Sequence, residues 1–350
     1  MKLTIDKESY GEHELMDLFP ALIDSDQQWK QDVGILLRDW LSDEPSLEVK
    51  TSGSTGTPKT ISHSKLAMGA SAEKTGQYFN LPKQSKVLSC LPYSFIAGKM
   101  MLIRAMVLGW DMIVQEPSLN PLQSLNAEID FITLTPHQLS QILSKNRDKL
   151  KLVKKILLGG SPVTAALQKQ IESLDNEIYI GYGMTETITH IAVKHFKGPN
   201  ASSAYHALSG VHFEQDKNDC LIIKADHLPE ILHTTDMVKL LTDRSFEWLG
   251  RLDNVINSGG IKLHPEEIEH KLSAFTDLPF FVHGVPDDVL GERLELFIES
   301  DNEQDAGKLK QKYSILNQKQ KPKNIHICSS FLYTSTGKIR RNETVMQTLK

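Results

Sequence analysis

Apolar residues in the first fifty positions fall into two periods. Trp29, Val33, Leu36, Leu37 and Trp40 recur three and four positions apart, the spacing of one helical face. Ser25 is placed to cap that helix, and Pro45 lies just past its end. Ser46, Leu47, Glu48, Val49 and Lys50 then alternate like a short strand. Farther along, apolar runs at 87–91, 112–114, 131–134, 155–158 and 177–180 predict strands. Helical segments lie between them: from Ser62 or Ser64 to about Tyr78, then 98–108 closed by Gly109, 136–143 and 164–171. Glycines mark two strand exits, Gly159-Gly160 and Gly181-Tyr182-Gly183. This alternation predicts an α/β sheet whose turns face a ligand.

Past residue 190 the pattern changes. Short β runs at 191–193, 220–223, 231–234, 238–241 and 246–249 predict a β-rich subdomain. A compact α+β segment follows, with a helix at 265–274 that has Pro265 in its first position. Strands at 280–285, 294–299 and 324–328 and a charged helix at 303–313 complete it. The expected fold class is α/β: a large N-terminal domain over 1–252 with a β-rich subdomain, plus a small α+β domain over 253–350.

Composition excludes more than it assigns. With 350 residues, 40% hydrophobic and 24% charged, the chain can bury cores for two or three domains. A formal charge of −5 argues against a general nucleic-acid or acidic-membrane binder. Cys90, Cys220 and Cys328 are far apart and form no C-x-x-C pair, which fits a reducing compartment and supplies no metal framework. Residues 1–8 hold no apolar signal core. The apolar region 87–114 is broken by Pro92, Lys99, Arg104 and Asp111. A cytoplasmic protein without a membrane span is expected.

The candidate chemistry begins at Thr51-Ser52-Gly53-Ser54-Thr55-Gly56-Thr57-Pro58-Lys59. Hydroxyls donate hydrogen bonds, glycines let backbone amides approach an anion, and lysine adds a mobile positive charge. The combination suits nucleotide phosphates, although a solvated Ser/Thr/Gly turn has the same composition. It is not a Walker A loop, because Pro58 stands where that pattern needs glycine. Four further stretches follow in order: Gly181-Tyr182-Gly183-Met184-Thr185-Glu186-Thr187, Thr234-Thr235-Asp236, Gly250-Arg251-Leu252-Asp253-Asn254-Val255-Ile256-Asn257-Ser258-Gly259-Gly260, and Thr334-Ser335-Thr336-Gly337-Lys338-Ile339-Arg340-Arg341.

Together these five stretches resemble the acyl-adenylate-forming superfamily of acyl- and aryl-CoA ligases, luciferases and peptide-synthetase adenylation domains. The resemblance spans roughly residues 47–345. It implies ATP and Mg²⁺ as cofactors, CoA as cosubstrate, and a small-molecule carboxylic acid as the partner that is activated. By the same resemblance Thr51–Lys59 cradles the β- and γ-phosphates and Tyr182 stacks on adenine. Thr185 donates to the α-phosphate, and Glu186 holds the metal, a hard cation that prefers oxygen. Asp236 accepts from the ribose hydroxyls, since a carboxylate offers two acceptor oxygens, and Arg251 donates to the ribose or phosphate side. Lys338 reaches the substrate carboxylate and the α-phosphate, where a point charge offsets the repulsion of two anions. Asp253 is the hinge about which a mobile C-terminal domain turns, bringing Ser258, Gly259 and Gly260 in to line a thiol tunnel. Each residue also has a plainer reading: a core aromatic for Tyr182, a turn residue for Asp236, a surface ion pair for Arg251 and an exposed lysine for Lys338.

Within the superfamily, Ile256-Asn257-Ser258-Gly259-Gly260 followed by Pro265-Glu266-Glu267-Ile268-Glu269 resembles o-succinylbenzoate–CoA ligases of menaquinone biosynthesis more than long-chain acyl-CoA ligases. Phe95, Lys99, Gly159, Gly160 and His190 come from pocket-forming stretches, with Phe95 where a histidine is usual. The unactivated second carboxylate of such a substrate needs a donor, and Lys99, Arg104 or His190 are the candidates. Three departures stand out. Thr234-Thr235-Asp236 replaces Thr-Gly-Asp, Leu332-Tyr333 replaces Pro-Arg before the last motif, and the phosphate loop begins unusually early. The last implies a missing or condensed N-terminal portion, whose dimer surface does not carry over, although a homodimer remains compatible. Loading of a carrier-protein thiol, another aryl or acyl acid, and a non-catalytic nucleotide sensor are the alternatives; retention of Lys338 and Glu186 argues against the sensor.

Overall fold

The structure, a computed structural model, describes residues 1–50, 59–197, 201–333 and 339–349. Its frame is a 13-stranded sheet whose middle is parallel. In spatial order the parallel strands are Glu177–Gly183, Val153–Leu158, Ile129–Leu134, Lys86–Ser89, Asp111–Val114 and Lys2–Ile5. Side chains alternate across them. Val87, Phe131, Leu157 and Tyr179 join one core with helices Leu15–Ile23, Gln28–Leu41, Lys65–Phe79 and Ile96–Leu108. Leu88, Ile132, Ile156 and Ile178 join the other with helices Pro136–Lys145 and Ala165–Glu172. Burial on both faces is why these strands read as continuous apolar runs.

The order of the strands fixes where a ligand can sit. From Lys86–Ser89 the chain crosses to Asp111–Val114 on one side, then returns to Ile129–Leu134 on the other. Such a reversal opens a crevice outside the carboxyl ends of the two strands. Phe95, Gly159-Gly160 and Tyr182 all follow, or end, parallel strands at that edge.

Local chemistry explains most element ends. Ser64 caps Lys65–Phe79 by accepting from the Ala67 amide at 3.1 Å, and Gly109, at φ +67°, closes Ile96–Leu108. Gly98 is required for packing, because a Cβ there would lie 2.3 Å from the Pro92 carbonyl oxygen. The helix expected to start at Ser25 runs Gln28–Leu41 with Gln27 as its N-cap; Ser25 instead accepts from the Gln27 amide at 3.2 Å. The runs 231–234 and 238–241 are one strand, Leu232–Thr242, which bulges rather than breaks: Asp236 pairs with Arg251 on the neighbouring strand, and the register shifts between Met237 and Val238. Gly181, Tyr182 and Gly183 are the last residues of Glu177–Gly183 rather than a turn beyond it. The charged helix is shorter than expected, Gln304–Lys310. The β-rich run is hydrogen-bonded to the main sheet, through His190–His195 paired with Glu177–Gly183.

The large sheet hands over at Ser245–Arg251 to a single turn, Leu252–Asn254. Beyond it a separate five-stranded sheet is built from Ile256–Ser258, Ile261–Leu263, Phe280–Asp287, Gly291–Glu299 and Ile325–Cys328. Its two buried clusters contain no residue before Ile256. Helix Pro265–Leu272 covers this sheet and also reaches back: Glu266 accepts from the Asn254 side chain at 2.5 Å, and Ser273 accepts from the Ala165 amide at 2.9 Å. Gly250 adopts φ +142°, a backbone conformation that suits glycine, and a Cβ there would lie 2.6 Å from Glu266 Oε2, so that carboxylate would have to shift. Among the described residues no helix is long and apolar enough to cross a membrane.

Candidate functional site

Strands Ser46–Lys50 and Thr60–Ser64 pair antiparallel with Lys50 opposite Thr60, so the ends of the Ser/Thr/Gly loop are held together. Of the loop's candidates, Thr51, Ser52, Gly53, Ser54, Thr55 and Gly56 lie outside the described residues, and Lys59 stands exposed at its base. The hairpin is tied to the next motif by His63. Its ring is only 7% exposed, and Nε2 donates to the Thr185 carbonyl oxygen at 2.8 Å. Burial pushes the His63 pKa down, which favours the neutral ring that this bond uses. Thr187, fully buried, holds the turn by accepting from the Met184 amide at 2.8 Å. Thr185 is thereby half-buried at the tip, with Glu186 exposed beside it.

The second group is aromatic and acidic. The Tyr182 hydroxyl donates to Asp236 Oδ2 at 2.7 Å, and the Trp248 indole donates to Asp236 Oδ1 at 3.1 Å. Tyr205 and Phe246 flank Tyr182 with ring centroids 5.7 and 5.1 Å away. Burial, then the Asp236 charge, push the Tyr182 pKa well up, so its proton stays in the bond. A carboxylate has about four acceptor sites, so Asp236 keeps capacity after these two bonds. Trp248 escaped the sequence reading, because it meets Asp236 only across the hairpin.

The third group surrounds Arg104, only 2% exposed. Its Nε donates to Thr75 Oγ1 at 3.2 Å, its Nη2 to Thr189 Oγ1 at 2.5 Å, and its Nη1 to Met101 Sδ at 3.7 Å. All three acceptors are neutral. Burial pushes the guanidinium pKa down to about 9. His190 completes the cluster, with Nδ1 3.2 Å from Thr189 Oγ1 and Nε2 3.4 Å from Thr75 Oγ1. Burial, and then the Arg104 charge, push its pKa well down, so it is a neutral ring. Lys99 sits five residues earlier on the same helix, about 140° round the axis from Arg104. Burial lowers its pKa, while Asp39 and Asp32 of helix Gln28–Leu41 oppose that shift. Phe95 is the half-buried N-cap of the helix. Gly160, at φ +88°, and Gly159, whose amide donates to the Leu134 carbonyl at 3.1 Å, line the adjoining strand end. Gly183 admits no side chain, since a Cβ would lie 2.3 Å from the Thr189 carbonyl oxygen. Gly181 has a looser neighbour, His190 Cβ at 3.2 Å.

The remaining candidates surround the connection between the sheets. Arg251 Nη2 lies 2.9 Å from Asp253 Oδ2 and donates to Thr235 Oγ1 at 2.7 Å. Gly259 and Gly260 form the two-residue turn between Ile256–Ser258 and Ile261–Leu263, with φ +59° and +78°. Positive φ at both positions favours glycine there whatever else the segment does. Among the described residues no hydrogen bond joins Ser258, Gly259 or Gly260 to the Tyr182–Asp236 group. Lys338 lies outside the described residues. Also among the described residues, no three His, Cys, Asp or Glu side chains are grouped to hold a metal ion.

Residues 34–211 match the family model described as AMP-binding enzyme. A solved structure from Dyadobacter fermentans DSM 18053, an acyl-CoA synthetase (AMP-forming)/AMP-acid ligase II-like protein, is 35% identical. That alignment covers 95% of this chain and 98% of the other, with a TM-score of 0.62. The 2-succinylbenzoate–CoA ligase of Escherichia coli strain K12 is 28% identical over 268 residues, 72% of this chain and 58% of that protein. The O-succinylbenzoate coenzyme A synthetase of Bacillus subtilis, solved with ATP and magnesium ion, is 21% identical with a TM-score of 0.76. It covers 85% of this chain and 69% of the other, a likeness of fold. The chain spans 58% to 65% of the length of curated relatives such as the Escherichia coli and Staphylococcus aureus proteins.

Proposed function

The chain belongs to the AMP-binding enzyme family, and from that premise we propose that it is an ATP-dependent acid–CoA ligase working through an acyl-adenylate. The observation that carries this reading is the Tyr182–Asp236–Trp248 group, which offers a ring face beside a carboxylate with both oxygens oriented. A nucleoside needs that pair: a flat surface for the base and acceptors for the ribose hydroxyls.

In the first half-reaction a substrate carboxylate oxygen attacks the α-phosphorus of ATP, the α–β anhydride bond breaks, and pyrophosphate leaves. Thr185, tethered through His63, donates to the α-phosphate, and Lys338 neutralises the approaching anions. Residues 51–59 grip the departing pyrophosphate. Glu186 would hold a Mg²⁺ together with phosphate oxygens, a ligand set that suits an ion usually bound through few carboxylates, and the ion would neutralise phosphate charge. In the second half-reaction the CoA thiolate attacks the acyl carbon, the acyl–oxygen bond breaks, AMP leaves with the bonding pair, and the thiol proton passes to solvent. On this reading residues 1–252 bind ATP and acid, and 253–350 turn about Asp253, bringing Ser258, Gly259 and Gly260 to the thiol path.

The acid is o-succinylbenzoate on this proposal, which would place the enzyme in menaquinone biosynthesis. Relatives with that activity in their names are 25–28% identical, and Arg104 supports the choice independently. A buried cation bonded, among the described residues, to two hydroxyls and a thioether retains the capacity to pair with a second carboxylate. The test is ATP–pyrophosphate exchange with Mg²⁺ and a panel of acids, followed by CoA transfer. Exchange that depends on o-succinylbenzoate, at least ~10-fold above benzoate or a fatty acid, is the expected result. No exchange with any acid refutes the enzyme; equal exchange with all refutes the substrate.

A further inference from the structure

Asp236 is engaged by Tyr182 and Trp248, and its neighbour Thr235, in the bulged part of the same strand, bonds a separate set of side chains. There the Thr235 hydroxyl accepts from Arg251 Nη2 at 2.7 Å and donates to Asp253 Oδ2 at 3.0 Å. Arg251 Nη2 and Asp253 Oδ2 are themselves 2.9 Å apart. The three atoms close a triangle in which each side is a hydrogen bond. A hydroxyl has one donor and two acceptor sites, so its two bonds do not compete.

The hydroxyl changes what the ion pair can do. Arg251 and Asp253 side chains are 42% and 56% exposed, and an isolated pair of that kind stabilises by less than about 1 kcal/mol. Thr235 ties both charges to the long strand Leu232–Thr242, which is held in the sheet on both edges. The turn between the two sheets, Leu252–Asn254, is thereby anchored at its middle residue. Glycine, the residue the sequence pattern leads one to expect at 235, has no such group.

We propose that Thr235 is a positioning residue that holds Asp253 and Arg251 in one register and so sets the resting orientation of the connection between the two sheets. The inference rests on the reading that Asp253 is the pivot of a two-step ligase. Turning about Asp253 then requires the triangle to open, which frees the Arg251 guanidinium on the nucleotide side.

Thr235→Val removes the hydroxyl and keeps a branched, strand-compatible side chain; Thr235→Ser keeps the hydroxyl. Amide hydrogen exchange is read in the full chain without substrate, and the two half-reactions are timed separately, as ATP–pyrophosphate exchange and as CoA transfer from preformed acyl-AMP. Thr235→Val is expected to speed exchange over 252–256 by about 3- to 10-fold, the scale of one lost hydrogen bond. It leaves exchange in Ile129–Leu134 unaltered and shifts the ratio of half-reaction rates by about 3-fold or more. Thr235→Ser is expected to stay within about two-fold of the parent on both readouts. Unchanged exchange in the valine variant, or a serine variant that matches it, overturns the proposal. Because exchange is read without substrate, a protected turn in a protein with no ligase activity counts against the proposed reaction and leaves the triangle standing.

Discussion

Arg104→Met should leave stability nearly unchanged while it lowers specificity sharply. The side chain is 2% exposed and offers five N–H donors, yet its acceptors are two hydroxyls and a sulfur. Exchanging a lone buried charge for an apolar side chain of similar length is neutral to stabilising by about 1–4 kcal/mol. Against this stands the loss of two bonds to hydroxyls, about 1 kcal/mol each. Both hydroxyls keep other partners, Thr75 with the Ser71 carbonyl at 3.1 Å and Thr189 with His190 at 3.2 Å. The net change in the free protein is therefore about −2 to +2 kcal/mol, a Tm shifted by no more than about 3 °C in either direction.

A substrate whose second carboxylate pairs with Arg104 loses a desolvated, charge-assisted contact worth about 2–5 kcal/mol. Taking ~3 kcal/mol, kcat/KM for o-succinylbenzoate falls about 150-fold. Benzoate has no second carboxylate, so the ratio of the two kcat/KM values falls by about the same factor. Calorimetry and CoA-thioester formation with each acid measure the two halves of the prediction. A Tm lowered by more than about 5 °C would make Arg104 a structural residue. Equal losses for both acids would remove it from the carboxylate site.

Tyr182→Phe deletes one of the two donors to Asp236 and is expected to raise the KM for ATP about 5- to 20-fold. An unchanged KM would separate this pair from the nucleotide. In the second sheet, buried Glu295 accepts from Arg293, Asn324 and His326. Burial pushes its pKa up, but the three donors outweigh this and hold it below the ordinary range. A depressed carboxyl contributes stability that is complete above its unfolded pKa, about 4.3, and is lost as pH falls through the folded value. Glu295→Gln should then cost about 3–5 kcal/mol at neutral pH and progressively less below about pH 4; a Tm deficit constant from pH 3 to 7 would contradict that sign. Lys338→Ala is expected to slow ATP–pyrophosphate exchange about 100-fold or more while CoA transfer from preformed acyl-AMP persists. Equal loss of both half-reactions would remove the division of labour.

What was legible in the sequence follows from how local each signal is. The period of Trp29, Val33, Leu36, Leu37 and Trp40 marks helix Gln28–Leu41 because one face of it is buried. Its start was misplaced because Ser25 spends its hydroxyl on Gln27 in the preceding turn. Strand Lys2–Ile5 had no readable signal: four residues take their place in the sheet only by pairing with Asp111–Val114, more than a hundred positions away. The site divides the same way. Tyr182 and Asp236 stand out through their neighbours in the chain. His63, Thr75, Thr189 and Trp248 become functional candidates only through contacts between distant segments, such as His63 with Thr185.

The expected runs 231–234 and 238–241 leave a break at 235–237, and the reason the strand is continuous there bears on the function. Polar residues interrupt an apolar alternation, yet here two adjacent side chains have separate sets of polar partners. Asp236 meets Tyr182 and Trp248, and Thr235 meets Arg251 and Asp253. Adjacent residues thus join the Tyr182–Trp248 group to the connection between the sheets through a single peptide unit. A slip of Leu232–Thr242 would lose both sets of contacts at once. The strand is held by pairing on both edges, with Asp236 opposite Arg251 and Cys220 opposite Met237, and a bulge beside each pair places the two side chains. On the proposed reading, whatever occupies Asp236 bears directly on the strand that anchors Asp253. Nucleotide occupancy and the orientation of the second sheet are then coupled through Leu232–Thr242 without any intervening mobile element.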